Sequence, residues 1–85
     1  MESKEIISIT NKFLVEEFEA EPGLITPEAN LKATLDLDSL DYIDMVVVIE
    51  DRFGFKVKPE DFQAIVTFQD FYDYVTTRVK QKELV

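Results

Sequence analysis

The sequence predicts an all-α fold, a four-helix bundle with three longer helices and one short third helix. Apolar residues recur at helical spacing in three separate stretches, and no stretch alternates cleanly as a half-buried strand would. Eighty-five residues suffice for a single domain over residues 1–85 and leave no room for a second hydrophobic core. With 46% hydrophobic and 32% charged residues but only two Gly and three Pro, the composition also excludes a disordered tail or a fibrous repeat.

The first helix is expected from about residue 3 to residue 18. There Ile6, Ile9 and Phe13 repeat at helical spacing, Leu14 and Phe18 widen the stripe, and Lys12, Glu16 and Glu17 are charged. Pro22, Gly23 and Pro27 then predict a long loop, pinned to the core by Leu24, Ile25, Leu31 and Leu35. Asp38 or Ser39 can cap a second helix, which closes at Gly54, a residue suited to the left-handed position after a helix end. Pro59, Glu60 and Asp61 suit the first turn of the short third helix. Thr67 and Asp70 resemble a capping box with Asp in place of Glu, and Phe68, Phe71, Tyr72, Val75 and Val79 form the apolar stripe of the last helix. With Tyr74, these aromatic residues are assigned to the core.

Composition narrows the chemistry. The chain contains no His, Cys or Trp, so Ser-His, Cys-His and zinc chemistry have no residues to use, and no catalytic residue or metal ligand is assigned. Eighteen acids against nine bases give a net charge of −9, which repels nucleic acid and anionic membrane surfaces and attracts basic partners. The longest apolar run, residues 45–49, is far short of the roughly 20 residues of a membrane helix. Neither a disulfide framework nor a secretory signal is visible, and a cytoplasmic, monomeric, free-standing protein is expected. A calcium-binding loop starting at Asp36 fails, because Leu40, Asp41 and Val47 would occupy positions that require an oxygen ligand, a glycine and a glutamate.

The second helix is the most informative stretch. At 100° per residue, Tyr42, Met45, Val46, Ile49 and Phe53 form one apolar stripe, while Leu40, Ile43 and Val47 lie on roughly the opposite side, bordered by Asp41, Asp44 and Asp51. A small bundle buries one face of a helix, so the second strip is a candidate partner surface; the alternative is that it reaches the edge of a broad core. Residues 36–61 carry eight acids against three bases, a net of −5. Opposition to the helix dipole accounts for Asp38 and Asp41 but not for Asp44, Glu50 and Asp51.

Residues 37–54, L-D-S-L-D-Y-I-D-M-V-V-V-I-E-D-R-F-G, resemble without a gap the pattern D-S-L-D-x-V/I-E/D-x-V-x-x-L/I-E-x-x-F-G of acyl carrier proteins. Val57, Pro59-Glu60-Asp61, Ile65, Thr67, Gln69-Asp70 and Tyr74-Val75 extend the similarity. The resemblance implies an acyl-carrier-type bundle in which Ser39, flanked by Asp38 and Leu40, receives 4′-phosphopantetheine from coenzyme A. The thiol of that group would carry acyl intermediates as thioesters in fatty acid or related polyketide-type biosynthesis. It implies a phosphopantetheinyl transferase as one partner, together with acyl-loading, condensing and modifying enzymes bearing basic patches. Their docking surface would be Leu40, Asp41, Ile43, Asp44, Val47, Glu50 and Asp51. On this reading the chain is a substrate and a tether, not an enzyme.

A phosphodiester on Ser39 would sit where free N–H groups at a helix start favour an anion, and an acyl chain would need an apolar refuge between helices. Three features depart from the pattern. Asp36-Leu37 stands where many relatives have a glycine, Arg52 interrupts the acids, and the aromatic last helix could restrict the acyl cavity. Absence of a Gly-Gly pair before Asp38 speaks against an amino-acyl (peptidyl) carrier. Taken alone, Ser39 reads as an ordinary N-cap serine, and only the full motif turns the reading to attachment; the rival is a non-covalent acidic interaction module with no modification at Ser39.

Overall fold

The computed structural model describes residues 2–83. Three long helices, α1 (Ser3–Phe18), α3 (Ser39–Phe53) and α4 (Phe68–Glu83), build the bundle, with a short α2 (Leu31–Leu35) before α3. The expected short third helix is a 3₁₀ helix, Pro59–Ala64, and a further 3₁₀ turn spans Pro22–Leu24. Among the described residues the nearest approach to a sheet is one isolated antiparallel bridge between Asn30 and Thr67.

The helices form where the apolar stripes predict, because each buries one. Ile6, Phe13 and Leu14 of α1, Met45, Ile49 and Phe53 of α3, and Phe68, Phe71, Tyr72, Val75 and Val79 of α4 make one core with Leu31, Leu37, Phe55, Val57 and Phe62. Phe71 sits at its centre, edge-on to Phe13 at 6.3 Å and to Phe62 at 6.2 Å between ring centroids. Burying side chains of this size is worth roughly 1.5–3 kcal/mol each, which is what lets so small a chain offset its ordering entropy. Tyr72 joins α4 to α1 by donating its hydroxyl to Asn11 Oδ1 at 2.6 Å. Thr10 is the polar member of this core, and nothing in the structure explains its buried, unbonded Oγ1.

The loop after α1 departs from expectation in two respects. Leu24 is 55% exposed and pins nothing, whereas Leu31 is buried and Ile25 and Leu35 are half-buried. The loop also contains α2, whose five residues are too few to show a period. Asn30 caps α2 by accepting from the Ala33 N–H at 2.8 Å. Asp36 ends it with φ 52°, a left-handed conformation that glycine adopts at least cost and Asp tolerates better than most residues.

Two linkers that are distant in sequence are fastened to each other. The Leu31 N–H donates to Val66 O at 2.9 Å, Phe68 N–H to Ala29 O at 3.1 Å and Gln69 N–H to Pro27 O at 3.0 Å. The 3₁₀ helix is tied to α4 through Asp61, whose Oδ2 accepts from the Tyr74 hydroxyl at 2.8 Å and lies 3.8 Å from Arg78. Arg78 in turn donates to Lys56 O at 2.6 Å and lies over the Phe55 ring. Burial, then the bond to the Asp61 carboxylate, pushes the Tyr74 hydroxyl up to about 12, so it stays a neutral donor at physiological pH. α3 ends at Gly54, φ 75°, with Lys82 Nζ donating to Phe53 O at 3.3 Å.

The expected capping box of α4 is present. Thr67 Oγ1 accepts from the Asp70 N–H at 3.1 Å, and Asp70 Oδ2 accepts from the N–H groups of Thr67 and Val66, each at 3.1 Å. Hydrogen bonds from the Thr67 and Val66 backbone hold the Asp70 carboxyl below its ordinary value. Its stabilisation is therefore complete above the unfolded value of about 3.9 and lost as pH falls through the lower folded value. Asp70→Asn should lower the denaturant midpoint at pH 7, and the deficit should shrink as the pH is taken below about 4. Urea titrations across that range test this, a pH-independent deficit being the contrary result.

Candidate functional site

The site begins with the cap of α3. Asp38 has extended backbone, and its Oδ1 accepts from the N–H groups of Leu40 at 2.9 Å and Asp41 at 3.0 Å. Asp41 Oδ2 returns the contact by accepting from the Asp38 N–H at 3.0 Å. This reciprocal arrangement resolves the choice between Asp38 and Ser39 as cap. Ser39 becomes the first residue of the helix, exposed, with a hydroxyl that makes no hydrogen bond among the described residues. Leu37, buried just before it, fixes the height at which the chain enters α3.

The face beyond Ser39 is open. Leu40 is 70% exposed, Ile43 52% and Val47 62%, which rules out the alternative that they edge a broad core. Asp44 and Asp51 are exposed beside them. The remaining two acids of the predicted surface have internal commitments. Asp41 is half-buried in the cap, and half-buried Glu50 accepts from the Val57 N–H at 3.1 Å, closing the turn after α3. Arg52, the departure from the acidic pattern, lies on the α1 side of the helix, 3.8 Å from Glu17.

Ser39 also stands at the rim of an open groove of about 640 Å³. Tyr42 of α3, Pro59, Glu60, Phe62 and Gln63 of the 3₁₀ helix, Ile65 and Val66 of the following linker, and Asn30 and Lys32 around α2 line the rest. Its apolar floor is the Tyr42–Phe62 pair, 5.2 Å between centroids, and Phe62 continues into the core through Phe71. Sequence reasoning did not find this groove, because its walls come from three separate segments that carry no common motif, two of them joined by the Asn30–Thr67 bridge. Phe68, Phe71 and Tyr72 are core as expected, so of the aromatic residues it is Tyr42 and Phe62 that shape the groove.

The arrangement fits covalent attachment of a flexible group. A primary hydroxyl that is solvent-exposed, unbonded and held at a rigid helix start is accessible to an external enzyme, and a mostly apolar groove begins beside it. One expectation needs correction. Two N–H groups at the start of α3 are already bonded to the Asp38 carboxylate, so the helix terminus is less free to receive an anion than the sequence suggests.

Comparison with known proteins agrees with this geometry. The family model for the phosphopantetheine attachment site matches residues 12–75, a stretch that includes Ser39. The chain is 36% identical over 70 residues to acyl carrier protein 2 of Ralstonia nicotianae, covering 82% of this chain and 86% of that protein. It is 27% identical over 79 residues to the acyl carrier protein of Thermosynechococcus vestitus, covering 93% and 98% respectively. Motif, bundle and relatives together place the chain in the acyl carrier protein family, whose carrier domains bear covalently attached 4′-phosphopantetheine.

Proposed function

We propose that Ser39 is the attachment residue for 4′-phosphopantetheine and that the protein shuttles acyl groups between enzymes of fatty acid or related polyketide-type biosynthesis. The observation that carries this reading is the free Ser39 hydroxyl, relieved of capping by Asp38 and Asp41 and placed at the groove rim. The attached group supplies a thiol that holds acyl chains as thioesters. This chain's residues do the rest. Asp38 and Asp41 fix the helix start, and the groove floored by Tyr42 and Phe62 offers an acyl chain shelter from water. The absence of His from the chain and of a hydrogen-bond partner on Ser39 among the described residues supports a reading in which the transferase supplies the base that takes the hydroxyl proton and this chain serves as the carrier.

Docking uses the open face. Leu40, Ile43 and Val47 form an apolar strip, and Asp44 and Asp51 draw basic patches toward it from a distance. Asp41 and Glu50 contribute charge while held by their own backbone partners. Such a surface gives fast, reversible, salt-sensitive encounters, as a carrier visiting several enzymes requires.

Incubation with coenzyme A, magnesium and a phosphopantetheinyl transferase, read by intact mass, should add one phosphopantetheinyl group to the wild type and none to Ser39→Ala. Absence of the adduct under conditions that modify a known carrier would instead leave an acidic module that binds its partners non-covalently. Val47→Ala, at a position too exposed to matter for the fold, should reduce kcat/KM of that transferase about tenfold. An unchanged value would remove the apolar strip from the docking surface.

A further inference from the structure

A phosphodiester on Ser39 would add negative charge beside two carboxylates in a chain of net charge −9, and the inference about Lys32 rests on that proposed attachment. The amide donors that would ordinarily offset the charge are partly taken, because Asp38 accepts from both Leu40 and Asp41. A basic side chain beside Ser39 would supply compensating charge. Among the residues lining the groove with Ser39 there is one cation, Lys32. Its side chain makes no ion pair or hydrogen bond among the described residues. Of the other eight basic residues, three are committed elsewhere, Arg52 to Glu17, Arg78 to Asp61 and Lys56 O, and Lys82 to Phe53 O, and none of the eight lines the groove.

The backbone of Lys32 is also fixed. Its carbonyl accepts the Asp36 N–H that closes α2 and the Leu37 N–H at 3.1 Å, so the segment leading to Asp38 and Ser39 is tied directly to it. We propose that Lys32 is a positioning residue for the prosthetic group. Its ammonium pairs with the phosphodiester, offsets repulsion from Asp38 and Asp41, and directs the root of the arm along the groove wall.

The test compares apo and holo forms, verified by mass, of the wild type, Lys32→Gln, Lys32→Arg and Lys80→Gln, the last removing a charge outside the groove. The holo-minus-apo difference in Tm cancels what each substitution does to the fold itself. At low salt that difference should fall by about 2–5 °C in Lys32→Gln relative to the wild type. It should be unchanged in Lys32→Arg and Lys80→Gln, and the gap should close near 1 M salt, where screening acts over about 3 Å. The ³¹P resonance of the holo-protein should move in Lys32→Gln and stay in place in Lys80→Gln. Equal Tm differences in all four proteins, or an unmoved ³¹P resonance in Lys32→Gln, overturn the role of Lys32 while leaving Ser39 as the attachment residue. A wild type that gains no adduct overturns both.

Discussion

The reciprocal cap between Asp38 and Asp41 is the interaction on which the site depends. A helix start needs acceptors for its unpaired N–H groups, and a serine beside one ordinarily supplies them. Here Asp38 supplies them, and Asp41 secures Asp38. The consequence is chemical as well as structural: the hydroxyl of Ser39 is held at a defined place without being used. The same two carboxylates crowd any anion attached there, which makes the neighbouring cation, Lys32, the natural counterweight.

The groove depends on a second set of contacts, remote from Ser39. Its outer wall is a 3₁₀ helix of six residues, too short to hold its own position. Asp61 anchors that wall to α4 through Tyr74 and Arg78, and Arg78 also holds the preceding turn through Lys56 O and Phe55. Burial and the adjacent carboxylate keep Tyr74 protonated, so the anchor persists across the physiological pH range. The inner wall is the bundle core itself, through Phe62 and Phe71. An acyl chain entering beside Ser39 would therefore meet a rigid floor and a tethered side.

How much of the fold and the site is legible in the sequence depends on how local each feature is. The limits of α1 and α3 and the start of α4 are readable, because stripes such as Met45, Ile49 and Phe53 repeat over several turns, the Thr67–Asp70 box marks a start and Gly54 an end. The strip of Leu40, Ile43 and Val47 is readable as a second apolar face, but periodicity does not separate an outward face from the edge of a broad core, which the exposure of the three residues decides. α2 is hidden by its brevity, and the exposure of Leu24 by the irregular loop around it. The commitments of Glu50 to Val57 and of Arg52 to Glu17 join residues 7 and 35 positions apart, and no spacing rule reports them. The groove is the extreme case, its walls drawn from three segments, two of which are fastened by backbone hydrogen bonds that any residue but proline could donate.

Asp38, and not Ser39, does the structural work at the start of α3, and everything proposed for Ser39 depends on that division. Urea denaturation of Ser39→Ala and Asp38→Ala beside the wild type tests it most directly. Ser39→Ala should match the wild type to within about 0.5 kcal/mol, while Asp38→Ala should lose about 1 kcal/mol with the cap. Equal losses in the two variants would contradict this division, making Ser39 a helix cap with no hydroxyl to spare.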